Sequence, residues 1–197
     1  QTVGTSSAAQ TLTLSNPQST ALSITSVAIT GTNSGDYSQT NNCGTSLGAG
    51  ASCTINVTFT PTAAGTRTAS VTVTDNATNS PQTAGLTGTG LGAVATLAPS
   101  SLNFGKVRVM STSSPRTITL TNSGNVALNI ASLAITGSNS SDFAQSNNCG
   151  ISVAPGANCS ISVTFTPSAK GPRTATLSVA DDAPGSPQQV SLKGNGG

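Results

Sequence analysis

Hydrophobic positions along the chain recur mostly at every second residue. Leu12-Leu14, Leu22-Ile24, Val27-Ile29, Ile55-Val57-Phe59 and Val71-Val73 are each spaced by one residue, mostly Thr, Ser or Asn. A half-buried strand alternates in this way, and β-branched residues on both of its faces favour it. Turn-forming clusters close the runs: Asn16–Ser19, Gly31–Asp36, Pro61–Gly65 and Asp75–Pro81, then Asn122–Asn125, Thr166–Gly171 and Asp181–Pro187. No window carries a helical i, i+3, i+4, i+7 stripe of useful length. Short strands punctuated by turns every 8–12 residues or so predict an all-β, antiparallel sandwich.

The pattern occurs twice. A displacement of 106 residues lays 11–90 over 117–196 without a gap, and roughly 44 of the 80 paired positions are identical. Thr11–Asn16 (TLTLSN) matches Thr117–Asn122 (TITLTN), and Ile55–Ala69 matches Ile161–Ala175 around a shared V-T-F-T-P turn. Two tandem domains are expected, 1–90 and 91–197, joined near Thr89–Val94 by a short Gly-rich connection that restricts their motion. The rings of Phe59/Phe165 and Tyr37/Phe143 are the expected large core plugs among Val, Ile, Leu and Ala.

Composition narrows the chemistry. Only 6% of the 197 residues are charged, against about a quarter in ordinary domains, and Thr plus Ser supply roughly 30%. The chain has no His, and all five acids are Asp. Imidazole acid/base work, a Ser-His-Asp or Cys-His nucleophile and a His-ligated metal are thereby excluded. Disorder is a poor reading, since mean hydropathy is +0.02 and net charge only +2. The seven basic residues form no stripe, so a nucleic-acid partner is not expected. No apolar run approaches the ~18 residues of a membrane span. Gln1 opens directly into domain-like sequence without a signal peptide, so a secreted protein would be represented here by a processed or excised piece.

Four cysteines remain. Cys43 and Cys53 are ten residues apart, and Cys149 and Cys159 repeat the spacing. One pair per domain predicts two local disulfides, Cys43–Cys53 and Cys149–Cys159, each stabilising its domain by roughly 2.8 kcal/mol on the chain-entropy model. Two thiolates per domain without His do not complete a tetrahedral metal site. Buried free thiols are the alternative. Disulfides imply an oxidising compartment.

The remaining polar residues have weaker claims. Asp36/Asp142 and Asp75/Asp181 read as turn and capping residues, and Asp181-Asp182 is the best pair for a cation, although neither loop supplies the six to eight oxygens calcium prefers. Neither a metal nor a cofactor is expected. Arg67 and Arg173 recur once per domain, with a strand-edge or interdomain hydrogen-bonding role expected. The absence of Lys from the first repeat excludes a Lys–Asn isopeptide there. Four N-glycosylation sequons, at Asn56, Asn76, Asn139 and Asn158, are expected by chance in so Thr/Ser-rich a chain.

The N-N-C…G…C pair, the V-T-F-T-P turns (57–61, 163–167) and the closing S-P-Q…L-x-G-x-G (80–90, 186–196) closely resemble bacterial choice-of-anchor D repeats. Those repeats are related to Hydin-like and major-sperm-protein-like immunoglobulin folds. The resemblance covers nearly the whole chain. It implies two tandem immunoglobulin-like sandwiches in a secreted or surface-anchored bacterial protein, no catalytic residues, and a stalk, spacer or adhesive role. The partners it leaves open are neighbouring repeats, copies of the same chain, or a glycan or protein ligand.

One departure stands out. The second repeat opens with Thr96–Val107, a first strand split at Pro99 and Ser100-Ser101, whereas the first repeat begins at Gln1, aligned with Val107. Excision from a longer array is one expectation. The other is an open edge inviting a strand from another molecule, the geometry of a strand-donating filament.

Overall fold

The computed structural model describes all 197 residues, which fall into two compact units, Gln1–Leu91 and Gly92–Gly197. The first unit contains β1 (Gln10–Ser15), β2 (Leu22–Thr30), β3 (Tyr37–Asn41), β4 (Ser46–Leu47), β5 (Ser52–Phe59), β6 (Gly65–Asp75) and β7 (Gln82–Gly90). They form two antiparallel sheets with strand orders β1-β5-β3 and β4-β2-β6-β7. The predicted period of two is plainest in β6, where Ala69, Val71, Val73 and Asp75 turn inward and the intervening Thr and Ser lie nearer solvent.

The second unit contains β8 (Ala95–Ala98), β9 (Ser101–Val107), β10 (Arg116–Asn122), β11 (Leu128–Thr136), β12 (Phe143–Asn147), β13 (Ser152–Val153), β14 (Asn158–Phe165), β15 (Gly171–Asp181) and β16 (Gln188–Gly196). Its sheets run β12-β14-β10-β8 and β13-β11-β15-β16-β9. Each of them is the first unit's sheet extended by one strand. The split at Pro99 marks the point where the chain leaves one sheet for the other: β8 pairs antiparallel with β10, and β9 pairs parallel with β16. That parallel pairing departs from the wholly antiparallel expectation, because one continuous strand crossing between facing sheets meets differently directed neighbours.

The closing L-x-G-x-G motif has a packing reason. A Cβ on Gly194 would lie 2.4 Å from the Phe165 ring, and one on Gly88 2.6 Å from Phe59. At Gly90 and Gly196 a Cβ would come within 2.0 Å of the carbonyl oxygens of Ala63 and Ala169. The β7 and β16 backbones therefore lie directly under the large aromatic plug and against the preceding turn, as only Gly permits.

The cores differ in size. Nineteen buried residues form that of the second unit, including Leu102 and Phe104 from β9, whereas eight form that of the first. A buried Asn anchors each unit where its Thr-rich strand ends. Asn122 Nδ2 donates to the carbonyls of Val126 (2.8 Å) and Val153 (3.0 Å), and Asn16 Nδ2 donates to those of Thr20 (2.8 Å) and Leu47 (3.0 Å).

Candidate functional site

The cysteines are joined as Cys43–Cys53 and Cys149–Cys159. Each disulfide ties the chain just after β3 or β12 to the start of β5 or β14, closing the loop that contains the short β4 or β13. Two disulfides fit an oxidising compartment rather than the cytosol. No helix is long and apolar enough to cross a membrane.

The acidic residues are held by neighbours within their own unit. Asp36 ends a one-turn 3₁₀ segment and is buried, with Arg67 Nε donating to its Oδ2. Thr62 donates to Oδ1 from its amide (3.2 Å) and its hydroxyl (2.6 Å). The Arg67 hydrogen bond holds the Asp36 carboxyl below the ordinary 3.8, against burial that pushes it upward. The second unit repeats the pair: Arg173 Nε donates to Asp142 Oδ2, and Arg173 Nη2 to Ser168 Oγ at 2.9 Å. Burial pushes the Asp142 carboxyl up, but Arg173 with Ser168 outweighs it and the net shift is downward. The expectation that Arg67 and Arg173 serve strand edges or a junction is thus corrected. Each neutralises a buried carboxylate 31 residues earlier in its own repeat. The signal was present in the sequence: residues 1–91 contain only Asp36, Arg67 and Asp75 as charged side chains, so a lone recurring Arg had few partners to choose from.

The other candidates close turns. Asp75 Oδ1 accepts the Ala77 amide at 2.8 Å and Asp181 Oδ1 that of Ala183 at 2.9 Å, as expected of turn carboxylates. Asp181 and Asp182, the best cation pair by sequence, face different donors. Asn129 gives its amide (2.9 Å) and its Nδ2 (2.6 Å) to the two oxygens of Asp182, and this side-chain bond holds the Asp182 carboxyl below its usual range. Burial raises Asp181 instead. Three sequon asparagines use Oδ1 internally: Asn56 accepts from Thr11, Asn76 from the Ser23 amide and Asn139 from the Thr174 amide.

What distinguishes the two repeats is the uncovered seam of the first. Between β1 and β7 runs a groove floored by Leu12, Leu14, Tyr37, Val57, Phe59 and Leu86. In the second unit the equivalents of five of these six positions, Ile118, Leu120, Val163, Phe165 and Leu192, are at most 1% exposed, and Phe143 is 6% exposed. Leu12, Leu14, Tyr37, Phe59 and Leu86 stay half-buried. Tyr37 and Phe59 stack with centroids 4.8 Å apart, as Phe143 and Phe165 do, but only the latter pair receives a third ring, Phe104 at 5.9 and 5.8 Å. The groove offers apolar shape rather than acid/base chemistry.

The second unit matches the family model described as Cep192 domain 4 over residues 96–197. The first matches that described as abnormal spindle-like microcephaly-associated, ASPM-SPD-2-Hydin, over residues 1–83. No curated protein matches the chain. Among solved structures it is similar to a protein of unknown function from Porphyromonas gingivalis W83, at 14% identity and TM-score 0.45, covering 94% of this chain and 89% of that one. It is also similar to the ASH/PapD-like domain 7 of human CEP192, at 19% identity and TM-score 0.38, covering 52% and 84%. A third is WR4, a C. elegans MSP family member, at 11% identity and TM-score 0.34, covering 52% and 97%. By the match that takes in more than half of its length, this chain belongs to the Cep192 domain 4 family, whose Hydin-like immunoglobulin sandwich it repeats twice.

Proposed function

We propose that the chain is a non-catalytic structural segment of a secreted or surface-anchored bacterial protein, of the choice-of-anchor D kind. Two tandem sandwiches act as a stalk or spacer that holds neighbouring modules away from the surface. The observation that supports this most directly is that each repeat carries the same local disulfide and spends its buried carboxylate on its own arginine. These charged groups serve the fold, and the Thr/Ser-rich exterior stays hydrated with little charge. The matches to the Cep192 domain 4 and ASPM-SPD-2-Hydin models support a non-catalytic module.

Mechanical extension of the whole chain tests the reading. Each unit is expected to unfold as a separate event. Reduction is expected to lengthen each event by roughly 30 Å, since ten residue steps of about 3.3–3.6 Å replace the disulfide-linked Cα–Cα span of 4.9 Å. Units that yield without a resolvable force peak would overturn the spacer role. A saturable hit on a glycan or protein array would replace it with a binding module.

A further inference from the structure

The seven basic residues divide into two groups. Arg67 and Arg173 occupy aligned positions and neutralise buried carboxylates. The other five, Lys106, Arg108, Arg116, Lys170 and Lys193, are exposed, form no ion pair and all belong to the second unit. Three of them align with neutral residues of the first unit: Arg116 with Gln10, Lys170 with Ala64 and Lys193 with Thr87. The first unit builds the shared strands, the disulfide and the buried pair without these cations, so the fold does not require them. Along the chain the five form no stripe, but strand register gathers them. Val107 closes β9 beside Gly196 of β16, and Gly196 lies beside Gly171 at the start of β15, which makes neighbours of Lys106, Arg108 and Lys170. Lys193 pairs with Asn103 and Thr174, and Lys106 with Asn195. Both lysines therefore stand on the outer face of this sheet, about 8 Å apart by one strand spacing and two residue rises. Arg116 flanks the sheet edge, its guanidinium 5.8 Å from the Phe104 ring centroid. No exposed acid opposes the group. Asp142 is buried against Arg173, and Asp181 and Asp182 lie at the far end of β15, about 33 Å along the strand.

From this placement we infer that the outer face of β9 and β16 is a contact surface for the phosphate backbone of duplex DNA. A few cations without a pocket gain most from a partner of high linear charge density, because each phosphate they neutralise releases condensed counterions. The duplex is favoured over a single strand by the rings: Phe104, Phe143 and Phe165 are at most 7% exposed, which leaves none for base stacking. Lysines flanked by Asn103, Asn195 and Thr174 on a sheet face reach phosphates and sugars rather than base edges, so binding is independent of base sequence. The surface goes beyond the spacer role and does not rest on it, since a spacer needs no polyanion and its extension measurement senses none.

The test titrates the full chain into a fluorescein-labelled, mixed-sequence duplex of about 20 base pairs and follows anisotropy across salt concentrations. Saturable binding is expected, with a second duplex of different sequence bound equally. Four phosphate contacts predict a log–log salt slope of about −3.6, or roughly 150-fold weaker binding at 200 mM than at 50 mM salt. In Lys106→Gln/Lys193→Thr two contacts are lost. The slope is then expected to become shallower by about 1.8, and binding at about 50 mM salt to weaken at least tenfold. Lys193→Thr installs the residue that the first unit carries at that position, so an unchanged circular dichroism spectrum is expected. Polyglutamate matched to the duplex in total charge distinguishes phosphate polymers from carboxylate polymers, and is expected to compete at least tenfold less well. Absence of saturable binding at about 50 mM salt, an unaltered slope in a folded double variant, or competition by polyglutamate as strong as by the unlabelled duplex would each overturn the assignment.

Discussion

Asp36 and Asp142 are buried, and their cost is contained because Arg67 with Thr62, and Arg173 with Ser168, reach them. Removing one partner strands a charge in the protein interior, so Arg173→Met is expected to destabilise the second unit by about 3–5 kcal/mol in a denaturant titration. Adding Asp142→Asn to that variant is expected to restore part of the loss. The same groups set an acid limit. Both carboxyls lie below 3.8 when folded, so their stabilisation is present above that value and is lost as pH falls beneath it. Asp181, raised by burial, works in the opposite sense and loses its penalty on acidification. The midpoint of unfolding is therefore expected to hold down to about pH 4 and fall below it, with Asp182, lowered by Asn129, adding to the fall; in Arg67→Met/Arg173→Met the stranded carboxylates are relieved by protonation, so a fall that shrinks or reverses would tie it to the pairs. The two glycine positions of the closing motif differ in kind. Gly194→Ala meets a ring that can shift and is expected to cost about 1–3 kcal/mol. Gly196→Ala meets the Ala169 carbonyl and is expected to cost more, because backbone yields less than a side chain. Equal losses in thermal unfolding would contradict that ranking.

At the level of strands, alternation made the elements legible. Ile55-Val57-Phe59 and Val71-Val73 read as strands because their period of two coincides with a two-sided environment, and β5 and β6 lie there. The split at Pro99 was legible too, since a proline and two serines interrupt an apolar run. Sequence alone narrowed the partners of Arg67 to Asp36 and Asp75 but did not carry the choice between them. Nothing local links Asp36 to Arg67 across 31 residues, and nothing near Asn122 announces that it would be wholly buried at a strand end, reaching Val153. The groove was half legible: the repeat alignment sets Gln1 opposite Val107, but the aromatic floor needed the sheets to be folded against each other. The staples belong to this scale as well. Cys43→Ala with Cys53→Ala is expected to lower the first unit's stability by about 2–3 kcal/mol, since an eleven-residue ring is released from the unfolded chain. Loss of less than about 1 kcal/mol in urea titration would mean that the β3–β5 pairing fixes the loop without the bond.

For the whole molecule, the unequal cores predict an order of unfolding. Each unit has its own apolar cluster, and the second adds Leu102 and Phe104, which fully buried side chains of this size reward by roughly 1.5–3 kcal/mol each before the cost of ordering the strand. It also pairs β8 and β9 along the edges equivalent to β1 and β7, where the first unit has only the Thr2–Leu91 bridge. The first unit should therefore open at lower denaturant. The single tyrosine makes this measurable without labels, because Tyr37 reports on the first unit alone. Tyrosine emission is expected to change in an early transition, while far-ultraviolet circular dichroism shows that step and a later one in which tyrosine emission is silent. Phe104→Ala is expected to lower the later transition by about 3–5 kcal/mol and draw the two together. Coincident transitions in the wild-type chain would show instead that the uncovered seam costs the first unit nothing, and that β1 and β7 are stable edges in their own right.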